Sequence, residues 1–196
     1  MKHAGGWARR SSVWRLAGAI SVIAAAVVAC GGGAAVDGPD AAQAALAAQG
    51  RDIFRYDTFG DEAQWTDALG LHEVIAAAVD PVTALSVGLK VDAEALPAAV
   101  VAGIQDGSVD LKNPATTVAL LKLNAVVGVR GTVETVNGVD KLVRVGITCA
   151  LCHSTVDNSF AKGIGKRLDG WPNRDLNPGA IIALSPAVDA VTKAAR

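Results

Sequence analysis

The stretch Cys149-Ala150-Leu151-Cys152-His153 decides how this chain is read. It holds two of the three cysteines, with a histidine directly behind the second. Immediately upstream, AVVGVRGTVETVNGVDKLVRVGIT (residues 125–148) crowds β-branched residues around Asn137-Gly138, a pair suited to the positive φ angles of a type I′ turn. Folding about that turn sets Glu134 opposite Lys141, a favourable cross-strand pair. The hairpin therefore delivers its second strand straight into CALCH.

On a turn of helix, two cysteines three positions apart face the same way. Their sulfurs can form thioethers with the two vinyl groups along one edge of a haem, and the following histidine supplies an imidazole nitrogen to the iron. C-x-x-C-H is the attachment signature for c-type haem. Two rival chemistries use similar residues. A structural zinc site needs four ligands, for which Cys149, Cys152, His153 and His72 are available. A thioredoxin-like redox pair also follows a strand and opens a helix, but in a βαβ setting; the strand here comes from an antiparallel hairpin. The expected cofactor is therefore one covalently attached haem c, joined to Cys149 and Cys152, with His153 as the proximal ligand.

The third cysteine has its own context. Residues 1–29 carry Lys2, Arg9, Arg10 and Arg15 and no acid, then an apolar run, LAGAISVIAAAVVA, of signal-peptide length. Small residues lead into Cys30, and Gly31–Gly33 follow. This arrangement resembles the lipobox of bacterial lipoproteins, which implies cleavage before Cys30 and lipidation of its sulfur. Two or more acyl chains hold a soluble domain stably at a membrane. Gly31 after the cysteine favours, by the same resemblance, the outer membrane. The expectation is thus a signal peptide over 1–29, a lipidated cysteine and flexible tether over 30–39, and a domain over 40–196 facing the periplasm. Four of the 18 basic residues leave with the signal, so 14 remain against 19 acidic ones, a balance of −5. That charge excludes a nucleic-acid partner.

Along the domain, helical patterns dominate. AAQAALAAQG predicts a helix ending at Gly50, followed by a turn-rich aromatic segment. DEAQWTDALGLHEVIAAA predicts one helix with Trp65, Leu69, His72 and Ala76 on a face, and Asp61 and Glu62 complementing its dipole. Asp92 is placed to cap a helix over AEALPAAVVAGIQ. Asn113-Pro114 and Asn177-Pro178 read as helix starts, each an amide acceptor followed by a residue with no amide to lose, and Ser185-Pro186 as a further start. Residues 154–179 read as a long polar, glycine-rich loop. Phe54 and Phe59 are expected in the core. Trp171 is a candidate to pack on the haem edge or to anchor its loop. Lys166, Arg167 and Arg174 are solvated loop charges, one of them available to a haem propionate.

Beyond CALCH, Gly50-Arg51-Asp52-Ile53-Phe54-Arg55-Tyr56-Asp57 fits a G-x-x-[LI]-F-x-x-D pattern. With these motifs the chain resembles the cytochrome c superfamily, and more narrowly the N-terminal haem domain of bacterial di-haem cytochrome c peroxidases, over residues 40–60 and 145–180. The resemblance implies a mainly α, cytochrome c-like fold with an inserted helical segment and a β-hairpin before the haem motif. The chain departs from these families in two ways. No second C-x-x-C-H is present. Where ordinary class I cytochromes carry a G-P-x-L-x-G segment, Gly165–Gly170 has Lys166 in place of the proline whose carbonyl would accept from the proximal imidazole.

The only methionine is Met1, so methionine is excluded as the sixth iron ligand within this chain. His72 is the candidate distal ligand; the alternative is an inward-facing histidine that bonds a carbonyl or supports a ligand without touching the iron. The expected function is one-electron transfer to a redox partner protein by a membrane-anchored monohaem cytochrome. The alternatives are the haem-binding portion of a di-haem peroxidase-like enzyme acting on peroxide at an open iron, in a chain that continues further, or a haem-based sensor.

Overall fold

The computed structural model describes residues 40–188. Residues 1–39, on which the expected signal peptide, lipidated Cys30 and tether fall, and residues 189–196 lie outside them. From Ala45 onward the chain forms one unit. Helix α1 (Ala41–Tyr56) leads to a single π-helical turn (Ala63–Ala68), α2 (Leu71–Ala78) and α3 (Pro81–Ser86). Strand β1 (Val91–Asp92), a 3₁₀ turn (Ala93–Ala95), α4 (Ala98–Asp106) and α5 (Pro114–Lys122) follow. Then come the hairpin β2 (Val129–Val136) and β3 (Val139–Ile147), the one-turn helix α6 (Ala150–His153), the short strands β4 (Ser154–Val156), β5 (Ile164–Gly165) and β6 (Arg167–Asp169), and α7 (Pro178–Ala183).

Over the described residues the fold is mixed α/β, 46% helical and 19% strand, and not mainly α as expected. The difference lies in residues 154–178. Their polar, glycine-rich composition reads as loop, yet β4 and β6 pair antiparallel and β5 pairs in parallel with β1. Such two- and three-residue strands are too short to show a period-2 pattern. They exist because distant backbone supplies their partners.

The hairpin forms as read. Glu134 pairs with Lys141, and Asn137 and Gly138 take φ of 52° and 78°, which closes a two-residue turn of the right twist. A bulge between Thr132 and Val133 shifts the register. Leu142 and Val145 thereby face the core with Val129, against Val118, Leu120 and Leu121 of α5 and Leu71 of α2.

Three helix readings are corrected. Helix α1 does not stop at Gly50 but continues to Tyr56. A mid-helix glycine costs about 1 kcal/mol, which tertiary contacts of the last turn outweigh: Phe54 packs against Val127, Ala150 and Val156, and Arg55 pairs with Asp169. The expected single helix over 61–78 is broken at Gly70, whose φ is 61°. Asp92 caps only the 3₁₀ turn, accepting from Glu94 N, and Pro97 starts α4 separately. Asn113 and Asn177 cap α5 and α7 as expected, accepting from Ala115 N and Ala180 N. Ser185 opens no helix among the described residues; its hydroxyl donates to Leu69 O at 2.6 Å. No described helix is long and apolar enough to cross a membrane.

Candidate functional site

CALCH follows β3 through Thr148, and Thr148 explains why a helical turn starts there. Its N–H donates to Gly128 O at 3.0 Å, its carbonyl accepts from Leu151 N, and its hydroxyl accepts from Ala150 N at 3.3 Å. The buried Thr148 thus ties the start of the turn to the start of the hairpin. Gly128, at φ 77°, presses against the backbone of Leu151, where a Cβ would overlap its N and Cα. Ala150 and Leu151 turn inward, with Ala150 fully buried. Cys149, Cys152 and His153 are left exposed on the other side of the turn. Neither cysteine forms a disulfide among the described residues.

A strap crosses behind this turn. Gly170 N donates to His153 O at 2.8 Å and Asn173 N to Cys152 O at 2.9 Å. The Asn173 side-chain amide donates to Gly88 O at 2.9 Å, which joins the strap to the turn after α3. Trp171 lies in the strap and is 63% exposed. Lys166 and Arg174 are exposed as expected.

Arg167 is not a solvated loop charge. Its side chain is only 3% exposed, its Nε donates to Asp169 Oδ1 at 2.7 Å, and its Nη2 has no partner within the protein. Asp169 also accepts from Arg55 Nε at 2.6 Å and from the hydroxyl of the fully buried Ser154 at 2.7 Å. Burial pushes the Asp169 carboxyl up, but the Ser154 hydroxyl and the two guanidinium groups outweigh it and hold the carboxyl below the ordinary range.

Asp61 also does more than face a helix dipole. Its carboxylate accepts from Ile147 N at 3.1 Å and from Trp65 Nε1 at 2.9 Å, so it pins the end of β3 two residues before Cys149. Burial raises its pKa, partly offset by those same hydrogen bonds. Thr66 supports the same strand: its hydroxyl donates to Val145 O, and Val145 N donates back to it, both at 2.8 Å.

Beside the motif lies a cavity of about 200 Å³, lined by Trp65, Val74, Ile75, Ile181, Leu184 and other apolar side chains, with Cys152 at its margin. His72 is not part of it. The break at Gly70 turns His72 away from Trp65, so that it lines a separate pocket with Lys141, Leu142 and Val143, 4.0 Å from Glu73 and with Nδ1 lacking a partner within the protein. The structure brings Cys149, Cys152 and His153 together and does not bring His72 to them. Phe59, expected in the core, is 71% exposed at φ 54°.

The donor set can be matched against each cofactor. Among the described residues no three His, Cys, Asp or Glu side chains converge as a metal ion requires, which leaves zinc unsupported. Thioether attachment needs no such convergence. It needs two accessible cysteines on one helical turn, an adjacent imidazole, and apolar surface for a macrocycle edge. Cys149, Cys152, His153 and the cavity supply these. At about 200 Å³ the cavity is below the usual ligand-pocket range of roughly 300–1,000 Å³, so it suits an edge and not a whole ring. Comparisons with protein-family models, with curated proteins and with solved structures give no match for this chain.

Proposed function

We propose that this chain is a monohaem c-type cytochrome that carries single electrons, exported and held at the membrane by a lipidated Cys30, with a redox protein as partner. One observation supports it above the others. Cys149 and Cys152 are exposed, outside any disulfide among the described residues and separated by one helical turn, with His153 beside them and an apolar cavity at Cys152. In this reading Cys149 and Cys152 carry the thioethers and His153 is the proximal ligand. The bound haem supplies a one-electron iron couple whose potential follows its axial ligands and surroundings.

The residues around the motif have separate tasks. Thr148 and Gly128 hold the turn against the hairpin, so both sulfurs stay on one face. The strap bonds from Gly170 and Asn173 fix the carbonyls of His153 and Cys152. Leu151, Ile181 and Leu184 give the Cys152 side an apolar wall for a macrocycle edge to meet. The test is production in a host with haem-attachment machinery. The mass of the denatured protein should exceed the polypeptide by one haem, and Cys149→Ala with Cys152→Ala should lose it; bare wild-type polypeptide would end the proposal.

The position of His72 favours a second reading of the same site, a haem that binds small ligands or reacts with peroxide. With His72 among Lys141–Val143, the described residues offer no second imidazole to the iron. A reduced spectrum that changes with carbon monoxide supports ligand binding, and an unchanged six-coordinate spectrum supports electron transfer alone.

A further inference from the structure

We infer that Asp169 is a positioning residue for His153, acting through Ser154. The inference rests on the haem reading above. His153 is fixed by its backbone. Its N–H donates to Cys149 O at 3.2 Å, its carbonyl accepts from Gly170 N at 2.8 Å, and the next side chain, the fully buried Ser154, donates to Asp169 Oδ1 at 2.7 Å. Residues 153–154 are therefore held by both the main chain and the side chain at the end of β6. With its backbone torsions set, His153 keeps only its two side-chain torsions.

Asp169 is itself immobilised from two elements. Arg55 of α1 donates to Oδ2 and Arg167 of β6 to Oδ1, at 2.6 and 2.7 Å. One carboxylate thus gathers α1, β4 and β6 under the residue after the histidine. A ligand histidine is commonly oriented by a hydrogen bond from its free ring nitrogen to a carbonyl or carboxylate. The loop carbonyl expected in that role belongs to Lys166, and it accepts from Asp157 N at 3.0 Å instead. Orientation through the backbone of β4 takes its place.

The test compares Ser154→Ala, Ser154→Thr and Asp169→Asn with Asp140→Asn, which breaks the Lys122 ion pair near the hairpin tip. All are matured with haem and measured for covalent mass, ferric spectrum and midpoint potential, and the unloaded proteins for amide exchange at Gly170. Ser154→Ala and Asp169→Asn should keep the added mass, change the ferric spectrum and shift the midpoint potential, because the residues around a ligand histidine tune the metal it holds. Ser154→Thr, which keeps the hydroxyl, should restore the wild-type spectrum, and Asp140→Asn should leave it unchanged. If Ser154→Ala holds the wild-type spectrum and potential while only its melting temperature falls, Asp169 is merely structural and the inference fails. Should Asp169→Asn not fold, Ser154→Ala decides alone. Absence of haem on the wild-type protein would instead sink the underlying reading, whereas faster Gly170 exchange in the unloaded variants reports the backbone restraint separately.

Discussion

Replacing Gly128 with alanine isolates the contact that seats the motif. Gly128 has φ of 77°, and a Cβ there would overlap the N, Cα and Cβ of Leu151. Two costs follow. A non-glycine residue in the left-handed region costs about 1–2 kcal/mol, and forcing an extra carbon into a packed site costs about 1–3 kcal/mol. Together they amount to roughly 2–5 kcal/mol. Gly138 offers a control that carries the first cost alone. Its φ is 78°, but a Cβ on it meets nothing within 4 Å. Gly138→Ala should therefore cost about 1–2 kcal/mol, and the difference between the variants measures the contact with Leu151. The assay is equilibrium unfolding in guanidinium chloride, with thermal melts as a check. At about 2–4 °C per kcal/mol for a chain of this size, Gly128→Ala should melt roughly 4–20 °C below wild type. Equal losses in the two variants would show that Leu151 can move aside freely, and the account of how the turn is positioned would be wrong.

Three further outcomes follow from charges and from His72. Asp61 and Asp92 have raised pKa values, in each case chiefly through burial. The folded state thus binds their protons more readily than the unfolded chain, and stability should rise as pH falls through the window just above the ordinary aspartate value of about 3.9. Below that value Asp169 and Asp175, whose pKa values are lowered, lose their ionised contacts and stability should fall; Asp61→Asn should flatten the upper limb, as read by denaturant midpoints across pH. Lys90 is 5% exposed and its Nζ pairs with Asp175. Asp175→Ala should cost about 1–3 kcal/mol by leaving that ammonium without its partner, and adding Lys90→Met should recover most of it, which a double-mutant cycle in urea would check. His72→Ala should leave the ferric haem spectrum unchanged; a change in spin state would put His72 back at the iron.

The proposed attachment motif could be picked out of the sequence because C-x-x-C-H lies in five consecutive residues. The hairpin was legible because Asn137-Gly138 and flanking β-branched residues are a local signal, as are the Asn-Pro starts of α5 and α7. What escaped reading depends on partners far away in sequence. Arg167 looks solvated in a sequence of loop charges, and only Asp169, the strand β4 and Arg55, 112 positions upstream, make it a buried ion. Asp61 looks like a helix-start acid until β3 presents the Ile147 amide, 86 positions away. Gly50 and Gly70 show the limit of local reading from both sides. Tertiary contacts carry α1 through the first, whereas the second takes a positive φ and breaks its helix. That break is what separates His72 from Trp65, a consequence no helical-face pattern contains.

The walls of the cavity differ in how firmly they are held, and the difference bears on what a bound haem would do. On one side, Val145 and Leu71 are deeply buried, and Trp65 is tied by its indole to Asp61. On the other, α7 has no buried residue; Ile181 and Leu184 contribute apolar surface that the protein itself only partly covers. A six-residue helix gains little from its own hydrogen bonds, so α7 depends on that apolar contact and on its cap at Asn177. It should open more readily than α5, which buries four residues, with amide exchange near the fraying end of the stability range. A haem edge seated at Cys152 would add apolar contact to Ile181 and Leu184 and nothing to the far side of α5. Covalent loading should therefore slow exchange in α7 selectively, relative to the apo protein, and leave α5 unchanged. Uniform protection across both helices would mean that the haem stabilises the fold globally, and that α7 is not the wall it meets.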